Sequence, residues 1–351
     1  MSRLDVSMLA LLAKTTTIME YLGFLWVTQT GLELNLWAEL EKASSLEEIM
    51  TLHPDWDEIL LDHWLEQAHY LELLTRKNDR FQTTKLAKAV NKYRNFGLEA
   101  LYKELTQHWT RGFAELPGLM MKQREKLTLE TDMQEELISK ASLASEPFVW
   151  PFLRTKCQKE RWKNVLDLGC GEGRYLKNLS EEFGDLRGVG LEMNPAVAGR
   201  GQEMAKASEG RIQILCKDIF SLVHQRKESL SELGTFDLCL LNNSIYYFTQ
   251  EQRIELLQSI KEFLKPGGQV GILTAVRKGE PVRVFHTHLP QNLMSFFLAC
   301  HQGFSGLPTA GEITSLLERS GYSDVDISVM PLGTSHYFFA KRTDEPIETS
   351  R

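Results

Sequence analysis

The sequence predicts an α/β protein in which a doubly wound, mostly parallel sheet follows a mostly helical, winged-helix-like region. From about residue 160 onward, strand-like apolar runs alternate with helical segments, a pattern typical of a parallel sheet with helices on both faces. Before that point, helical patterns are followed by two short strand-like runs around Asn78-Asp79, which favours a hairpin turn. All seven tryptophans lie at or before residue 162, which also separates the two regions.

The length and composition fit more than one domain. The chain has 351 residues, 42% hydrophobic and 25% charged, as in a globular protein of two domains or of one domain with an extension. Pro147 and Pro151 interrupt the helical pattern and predict a boundary near residue 150. We divide the chain into a winged-helix-like domain (1–95), a helical connector (96–150), a sheet domain (151–342) and a polar tail (343–351).

The first region is predicted as short helices followed by a hairpin. Ser45 precedes "LEEIMTLH", and Glu48 three residues later completes a capping-box pattern. "DWDEILLDHWLEQAHYLELL" carries a helical apolar stripe, "LELLTRKNDRFQTT" fits two strands around a turn, and "TKLAKAVNKY" returns to helix. Helices followed by a hairpin give the winged-helix outline.

The charge distribution argues against nucleic acid as a partner. The formal net charge is −7, and residues 54–75, where a winged helix would present its recognition helix, contain no Lys or Arg. The same segment contains six acidic residues: Asp55, Asp57, Glu58, Asp62, Glu66 and Glu72. Such a helix would repel the phosphates that supply most nucleic-acid affinity.

Composition also bears on location and assembly. The sequence has no uninterrupted run of 18 apolar residues and no signal-peptide cleavage pattern, so we expect no membrane span and no secretion. The five cysteines are scattered, and Cys216 and Cys239 lie in strand-like runs, which predicts free, buried thiols in the cytoplasm. Residues 8–37 are apolar enough to need a partner surface, either the chain's own or a second subunit's, and we expect a homodimer.

The second region is predicted element by element. The strands are "NVLDLG", "LRGVGLEMN", "IQILCKDIF", "TFDLCLLNN", "QVGILTAV", "DVDISVMP" and "SHYFFAKR". The helices are "GRYLKNLSEEF", "AVAGRGQEMAKAS", "QEQRIELLQSIKEFLKPGG", which ends in a Pro-Gly-Gly stop, and "AGEITSLLERSGY". The last two strands are close together in the chain and suit an antiparallel edge.

The turn after the first of these strands is typical of a site for an adenosine-containing cofactor. Gly169, Gly171 and Gly173 lie between a strand and a helix, but the phosphate-binding pattern G-x-x-x-x-G-K-[ST] is absent. Arg174 stands where a dinucleotide fingerprint would have its third glycine. The neighbouring residues must therefore decide which cofactor is bound.

Acidic residues follow three successive strands. Asp167 can accept from an ammonium group, and Glu192 can accept from both ribose hydroxyls. Asp218 can accept from an adenine amino group, with Ile219 against the ring. Acids in these positions fit a nucleoside with a cationic end, whereas a pyrophosphate would be repelled.

These motifs carry a family resemblance. "VLDLGCGEG", "GLEMN", "CKDIF", "FDLCLLNN" and "FLKPGGQVGIL" resemble, in order and spacing, the Rossmann-like class I methyltransferases that use S-adenosylmethionine (SAM), over about residues 160–342. The first region is similar to the dimerisation domain of small-molecule O-methyltransferases. The resemblance implies SAM as cofactor, held by Asp167, Gly169, Gly171, Gly173, Glu192, Asp218, Ile219 and Asn242, with Asn242 nearest the sulfur.

The groups acting on the acceptor are less defined. In the related O-methyltransferases a general-base histidine comes from the neighbourhood of "VFHTHLPQNLM", which contains His286 and His288. Two histidines two residues apart share a face of an extended chain, so one base, a metal site completed by a ligand such as His301, or an ordinary polar loop all remain open. Tyr246 is a candidate for an aromatic acceptor pocket or for packing in its own turn.

The expected function is methyl transfer from SAM to a small-molecule acceptor, as O-methylation in secondary metabolism. Two alternatives remain at the level of sequence. One is a metal-dependent C-methyltransferase of an α-keto acid, because "FSGLPTAGEI" and "NNSIYYF" resemble that family. The other is a SAM-fold regulator that binds DNA, against which the acidic segment 54–75 argues.

Overall fold

The computed structural model describes residues 6–128, 135–220, 233–277, 283–284, 287–288, 291–331 and 335–343. The chain divides into two compact units. The first is Met1–Arg111 with Lys140–Ala144, and the second is Gly112–Ser139 with Ser145–Arg351.

The first unit is mainly helical. Its elements are α1 (Val6–Glu33), α2 (Leu36–Glu39), α3 (Leu46–Leu52), α4 (Glu58–Tyr70), β1 (Leu74–Lys77), β2 (Arg80–Thr83), α5 (Lys85–Tyr93), α6 (Leu98–Lys103) and a π-helical segment, Glu104–Trp109. Its core contains Leu32, Trp37, Ile49, Leu65 and Phe81, all at most 3% exposed.

Two local predictions in this unit are confirmed. β1 and β2 pair as an antiparallel hairpin, and Asn78 and Asp79 have φ of 50° and 57°, the left-handed values that a two-residue type I′ turn requires. The side chain of Ser45 accepts from the backbone N–H of Glu48, whose carboxylate accepts from the N–H of Ser45. This capping box starts α3.

The first helix is longer than the short helices that the sequence predicted. α1 has 28 residues, and most side chains in its first five turns are exposed. Three consecutive hydroxyls, Thr15, Thr16 and Thr17, donate to carbonyls four residues earlier and so remain compatible with the helix. By length and composition α1 could also cross a membrane, although buried core helices and signal sequences meet the same criterion.

The second unit contains the remaining elements. The helices are α7 (Thr110–Ala114), α8 (Leu116–Met120), α9 (Glu135–Ser142), α10 (Glu146–Glu160), α11 (Arg174–Glu182), α12 (Pro195–Ala205), α13 (Gln250–Phe263), α14 (Gln291–Leu298) and α15 (Ala310–Arg319). Two of them, α7 and α9, cross the division between the units. The strands are β3 (Asn164–Leu168), β4 (Arg187–Glu192), β5 (Ile212–Cys216), β6 (Phe236–Asn242), β7 (Leu264–Ala275), β8 (Arg283–Val284), β9 (Thr287–His288), β10 (Tyr322–Val329) and β11 (Ser335–Arg342).

Seven of the strands in the described part of the chain form one sheet in the order β10-β11-β7-β6-β3-β4-β5. β3 to β7 are parallel, and β11 lies antiparallel to both β7 and β10. This confirms the predicted α/β sheet with an antiparallel edge. One boundary differs: α13 ends at Phe263, and β7 already begins at Leu264, so the Pro-Gly-Gly sequence lies within the strand and not at the helix end.

The sheet is buried on both faces. Because strand side chains alternate, Leu166 and Leu168 of β3 lie in one apolar layer and Val165 lies in the other. Asp167 shares the face of Val165. All five cysteines are free, but the expectation of a buried thiol is wrong for Cys216, which is exposed because it ends the edge strand β5.

Candidate functional site

The loop between β3 and α11 depends on its glycines. Gly169, Gly171 and Gly173 all have positive φ, from 57° to 78°, which side chains rarely adopt. A Cβ on Gly173 would lie 2.8 Å from Cδ1 of Ile214 and 3.2 Å from Cε of Met204. The backbone therefore makes a tight turn at the carboxyl end of the sheet, where ligands bind in open α/β folds.

Glu192 holds this loop against the end of β4. Its Oε2 accepts a hydrogen bond from the backbone N–H of Gly171 over 3.0 Å, and its Oε1 accepts from the N–H of Asn194 over 2.9 Å. The carbonyl of Leu191 accepts from the N–H groups of Gly169 and Cys170. Sequence reasoning placed Glu192 at a ribose, and the structure places it beside the glycine loop.

Asp167 is the most unusual group at the site. It is 1% exposed, and neither carboxylate oxygen has a hydrogen-bond partner among the described residues. Burial, reinforced by the nearby charge of Glu192, raises the pKa of Asp167 to about 7. A buried carboxylate with no protein donor is costly, which is a mark of a site built for a ligand that brings its own donors.

Asp218 and Ile219 follow the end of β5, as the motif predicted. The carboxylate of Asp218 accepts from the backbone N–H of Phe220 over 2.8 Å, forming a local turn. Ile219 is 7% exposed, and its Cδ1 would lie 4.0 Å from a Cβ on Gly169. The structure thus brings Ile219 against the glycine loop.

Asn242 ends β6 on the same face of the sheet as Asp167. Its amide nitrogen and amide oxygen are buried and have no hydrogen-bond partner in the described part of the chain. In the sheet register Asn242 lies opposite Leu273 of β7, which in turn lies opposite Tyr337 of β11. Tyr337 is fully buried, and its hydroxyl also lacks a partner among the described residues.

Tyr337 is the site residue that sequence reasoning missed. Its run, "SHYFFAKR", gave only an apolar edge strand, although a buried tyrosine hydroxyl normally finds a partner. The strand order, which brings β11 beside β7, was needed to place it near Asn242.

Tyr246 lies in the short 3₁₀ turn Ile245–Tyr247 that follows β6. It is 8% exposed and packs with Ala275, Leu298 and Leu307. Its ring centroid lies 4.7 Å from that of Tyr247. Tyr246 is therefore held in an apolar group beyond the end of β6.

The structure describes the side chain of only one of the two candidate catalytic histidines, His288 and His301. His301 is fully buried, and its Nδ1 lies 3.2 Å from the carbonyl of Phe297. The backbone N–H of His301 donates to the carbonyl of Leu298, which also borders Tyr246. His288 ends the short strand β9, and its side chain, like all of His286, lies outside the described residues.

No metal centre is recognisable in the part of the chain that the structure describes. Its His, Cys, Asp and Glu side chains form no group of three that could hold an ion. The side chains of His286 and His288 lie outside the residues to which this statement applies.

The chain resembles known methyltransferases. A family model described as a methyltransferase domain matches residues 165–268. Human N-acetylserotonin methyltransferase, solved in complex with SAM, matches 97% of this chain and 99% of its own, with a TM-score of 0.75 and 16% identity. The mitomycin 7-O-methyltransferase structure matches 96% and 100%, with a TM-score of 0.72 and 16% identity.

The relatives that are similar in sequence match a smaller part of this chain than the solved structures do. Phosphoethanolamine N-methyltransferase 1 from Triticum aestivum is 28% identical over 144 residues, which are 40% of this chain and 28% of that protein. The chain spans between 28% and 56% of the length of the curated relatives it matches. Residues 165–268 thus match a methyltransferase domain, and the chain has the fold of these solved methyltransferases over nearly its whole length.

Proposed function

We propose that this protein is a SAM-dependent methyltransferase that methylates a small molecule. The observation that carries the proposal is the buried Asp167 carboxylate, which has no hydrogen-bond donor among the described residues and lies near the carboxyl end of β3, two residues before the glycine loop begins. SAM has an ammonium group that can donate to it. The match of residues 165–268 to a methyltransferase domain supports the same reading.

The residues around the loop fit the parts of SAM. Asp167 would hold the ammonium group, with Gly169, Gly171 and Gly173 forming the turn. Glu192 would hold the ribose hydroxyls, and Asp218 with Ile219 would hold the adenine. Asn242 would lie near the sulfur. Bound SAM supplies an activated methyl group on a sulfonium, so the chain itself must orient the acceptor, exclude water and, for a hydroxyl acceptor, remove a proton.

The residues that we propose to act on the acceptor, directly or through a neighbouring segment, are Tyr246, His301 and His288. The Tyr246 side chain lies beyond the carboxyl end of β6, in an apolar group that would exclude water. His301 is enclosed by the protein, so in this conformation it would act by fixing the segment that follows α14. His288 remains the proposed general base after β7.

O-methylation in secondary metabolism is the finer proposal. It is supported by the fold shared with mitomycin 7-O-methyltransferase and with N-acetylserotonin methyltransferase, whose names specify small molecules. Neither the metal-dependent C-methyltransferase nor the DNA-binding regulator is favoured by these comparisons, and we expect no nucleic-acid partner.

A homodimer is proposed from the surface of α1, and a cytoplasmic location is proposed separately from the free cysteines of the chain. Side chains such as Leu11, Ile18 and Met19 are 56–67% exposed, in a helix whose first five turns are mostly exposed. Exposed apolar patches of this kind usually mark an interaction surface. A second copy of α1 offers a matching apolar surface through an isologous interface.

The test is transfer of a labelled methyl group from SAM to a panel of phenols, α-keto acids, amines and thiols, each with and without a chelator. Transfer to a phenol that survives the chelator would support metal-free O-methylation. Transfer to a keto acid that the chelator abolishes would replace it with the C-methyltransferase alternative. If no acceptor is methylated and SAM does not bind, the proposed function is wrong.

A further inference from the structure

A cluster of buried polar atoms without protein partners lies on one face of the sheet, at its carboxyl edge. It comprises both carboxylate oxygens of Asp167, both amide atoms of Asn242 and the hydroxyl of Tyr337, none of which has a hydrogen-bond partner among the described residues. Buried polar groups are almost always satisfied, so several unsatisfied atoms in one place need an explanation. A bound ligand that supplies complementary groups would satisfy all of these atoms at once.

Sheet register brings these three residues together. Asp167 lies opposite Leu240 of β6, two residues before Asn242 and on the same face. Leu273 of β7 lies between Asn242 and Tyr337, because it pairs with Asn242 of β6 on one side and with Tyr337 of β11 on the other. Since β11 is antiparallel to β7, Tyr337 near the start of β11 lies at the edge where the parallel strands end.

Electrostatic effects agree with this proximity. The pKa of the Tyr337 hydroxyl is raised well above its usual value, first by burial and then by the charges of Tyr175 and Asp167. The nearby Asn242 amide lowers the pKa of the Tyr337 hydroxyl. The two groups are close, but they do not form a hydrogen bond of ordinary geometry.

The cluster contains both acceptors and donors. The Asp167 carboxylate can only accept when ionised, whereas the Tyr337 hydroxyl and the Asn242 amide nitrogen can donate. A ligand that carries a cationic donor beside an anionic acceptor would pair with both kinds of group. An α-amino-acid end, with its adjacent ammonium and carboxylate, has this chemistry.

We propose that Tyr337 is a cofactor-positioning residue whose hydroxyl donates a hydrogen bond to the carboxylate of the amino-acid end of SAM. The inference rests on the proposed SAM site, and it adds a residue from the antiparallel strand β11 to that site. Asn242 supplies a second donor beside it, and Asp167 takes the ammonium.

The test uses Tyr337→Phe, with Tyr322→Phe as matched control. Tyr322 is also a buried tyrosine of this sheet, but its hydroxyl donates to the carbonyl of Leu257 over 2.7 Å. Calorimetry would measure the affinity of each full-length protein for three ligands. S-adenosylhomocysteine (SAH) has both the ammonium and the carboxylate, decarboxylated SAM keeps the ammonium and the sulfonium but lacks the carboxylate, and methylthioadenosine lacks both the ammonium and the carboxylate. Each affinity is therefore compared between variant and wild type for the same ligand.

Tyr337→Phe should weaken SAH binding about tenfold or more, the effect of losing a hydrogen bond to a charged group. Its affinities for decarboxylated SAM and methylthioadenosine should stay within about twofold of wild type, because neither ligand has the carboxylate. Tyr322→Phe should bind all three ligands as the wild type does.

Stability gives a second readout. Removing a buried hydroxyl that has no hydrogen-bond partner in the described part of the chain should leave the Tm of the ligand-free Tyr337→Phe protein unchanged or raise it. Tyr322→Phe, which loses a formed hydrogen bond, should lower the Tm by about 2–4 °C.

Several outcomes would overturn the assignment. They are equal weakening of all three ligands, unchanged SAH affinity, or weakening of SAH and decarboxylated SAM alike, which would tie the hydroxyl to the ammonium. A fall in Tm matching that of Tyr322→Phe would make the role structural. Failure of the wild type to bind SAH would instead overturn the proposed function itself.

Discussion

The carboxylate of Glu192 accepts a hydrogen bond from the backbone N–H of Gly171, with 3.0 Å between Oε2 and the nitrogen. The end of β4 is thereby joined to the middle of the glycine loop that follows β3. An acid that the motif assigns to the cofactor thus also fixes the shape of the ligand-free loop. Substitution at Glu192 should therefore affect both folding and binding.

Glu192→Ala removes the charged group that accepts two hydrogen bonds from backbone N–H groups. We expect the free energy of unfolding to fall by about 1–3 kcal/mol and SAH affinity to fall as well. Urea unfolding with and without SAH would measure both. Glu203→Ala is the control, because the ion pair of Glu203 with Lys206 is exposed and should contribute little. Equal effects of the two substitutions would contradict this role of Glu192.

Gly173→Ala should destabilise the protein by about 1–3 kcal/mol. Alanine would have to adopt a φ of 78° and would place its Cβ 2.8 Å from Ile214 Cδ1. Gly199→Ala in α12 is the matched control, since a Cβ there meets nothing within 4 Å. It should stabilise the helix by up to about 1 kcal/mol. Chemical denaturation should show a lower free energy of unfolding for Gly173→Ala and a higher one for Gly199→Ala. An unchanged free energy of unfolding in Gly173→Ala would refute the steric argument.

The affinity for SAH should rise with pH through about 7. Burial and the nearby Glu192 raise the pKa of Asp167 in the ligand-free protein to about 7, and the carboxylate must ionise to accept from an ammonium. Calorimetry from about pH 5.5 to 8.5 would measure the trend. Asp167→Asn should bind SAH weakly and show no such rise, whereas a flat profile for the wild type would contradict the prediction.

The same group has the opposite effect on the stability of the ligand-free protein. The pKa of Asp167 is higher in the folded state, about 7, than the usual 3.8, so between these values the folded state binds more protons than the unfolded chain. Stability from this group is therefore greatest below about pH 4 and is lost as pH rises to about 7. Relative to Asp167→Asn, the wild type should lose Tm over this range. An unchanged difference in Tm would contradict the assignment.

Charge introduced on α1 should dissociate the proposed dimer. Leu11→Glu and Ile18→Glu place carboxylates on side chains that are 60% and 56% exposed, so the monomer should tolerate them. Sedimentation velocity should show monomers that still bind SAH. Leu52→Glu, at a residue 67% exposed outside α1, should leave the assembly unchanged. A wild type that is monomeric at all concentrations would contradict the proposal.

Much of the second unit could be predicted from the sequence because its elements have strong local signals. Apolar strand-like runs that alternate with helical segments, together with the glycine turn after the first of them, predicted β3 to β7 and the helices between them. The Asn78-Asp79 turn did the same for the hairpin. These signals depend only on neighbouring residues.

The site was less predictable where it depends on strands distant in sequence. Asp167 and Glu192 follow motif spacing, but Tyr337 joins them only because β11 inserts between β10 and β7. The exposed length of α1 was also unpredictable, since an apolar helix gives the same pattern in a core as at an interface. The depth of His301 could not be read from its surrounding loop sequence either.

The central claim is that SAM binds at the carboxyl ends of β3, β4 and β5. Calorimetric titration of the full-length protein with SAH tests it most directly, with Asp167→Ala and Asp218→Ala as companions. We expect one SAH per chain for the wild type and an affinity at least about tenfold lower in each variant, as expected for losing a charged hydrogen-bond partner. Absence of saturable binding, or binding that neither substitution weakens, would contradict the claim.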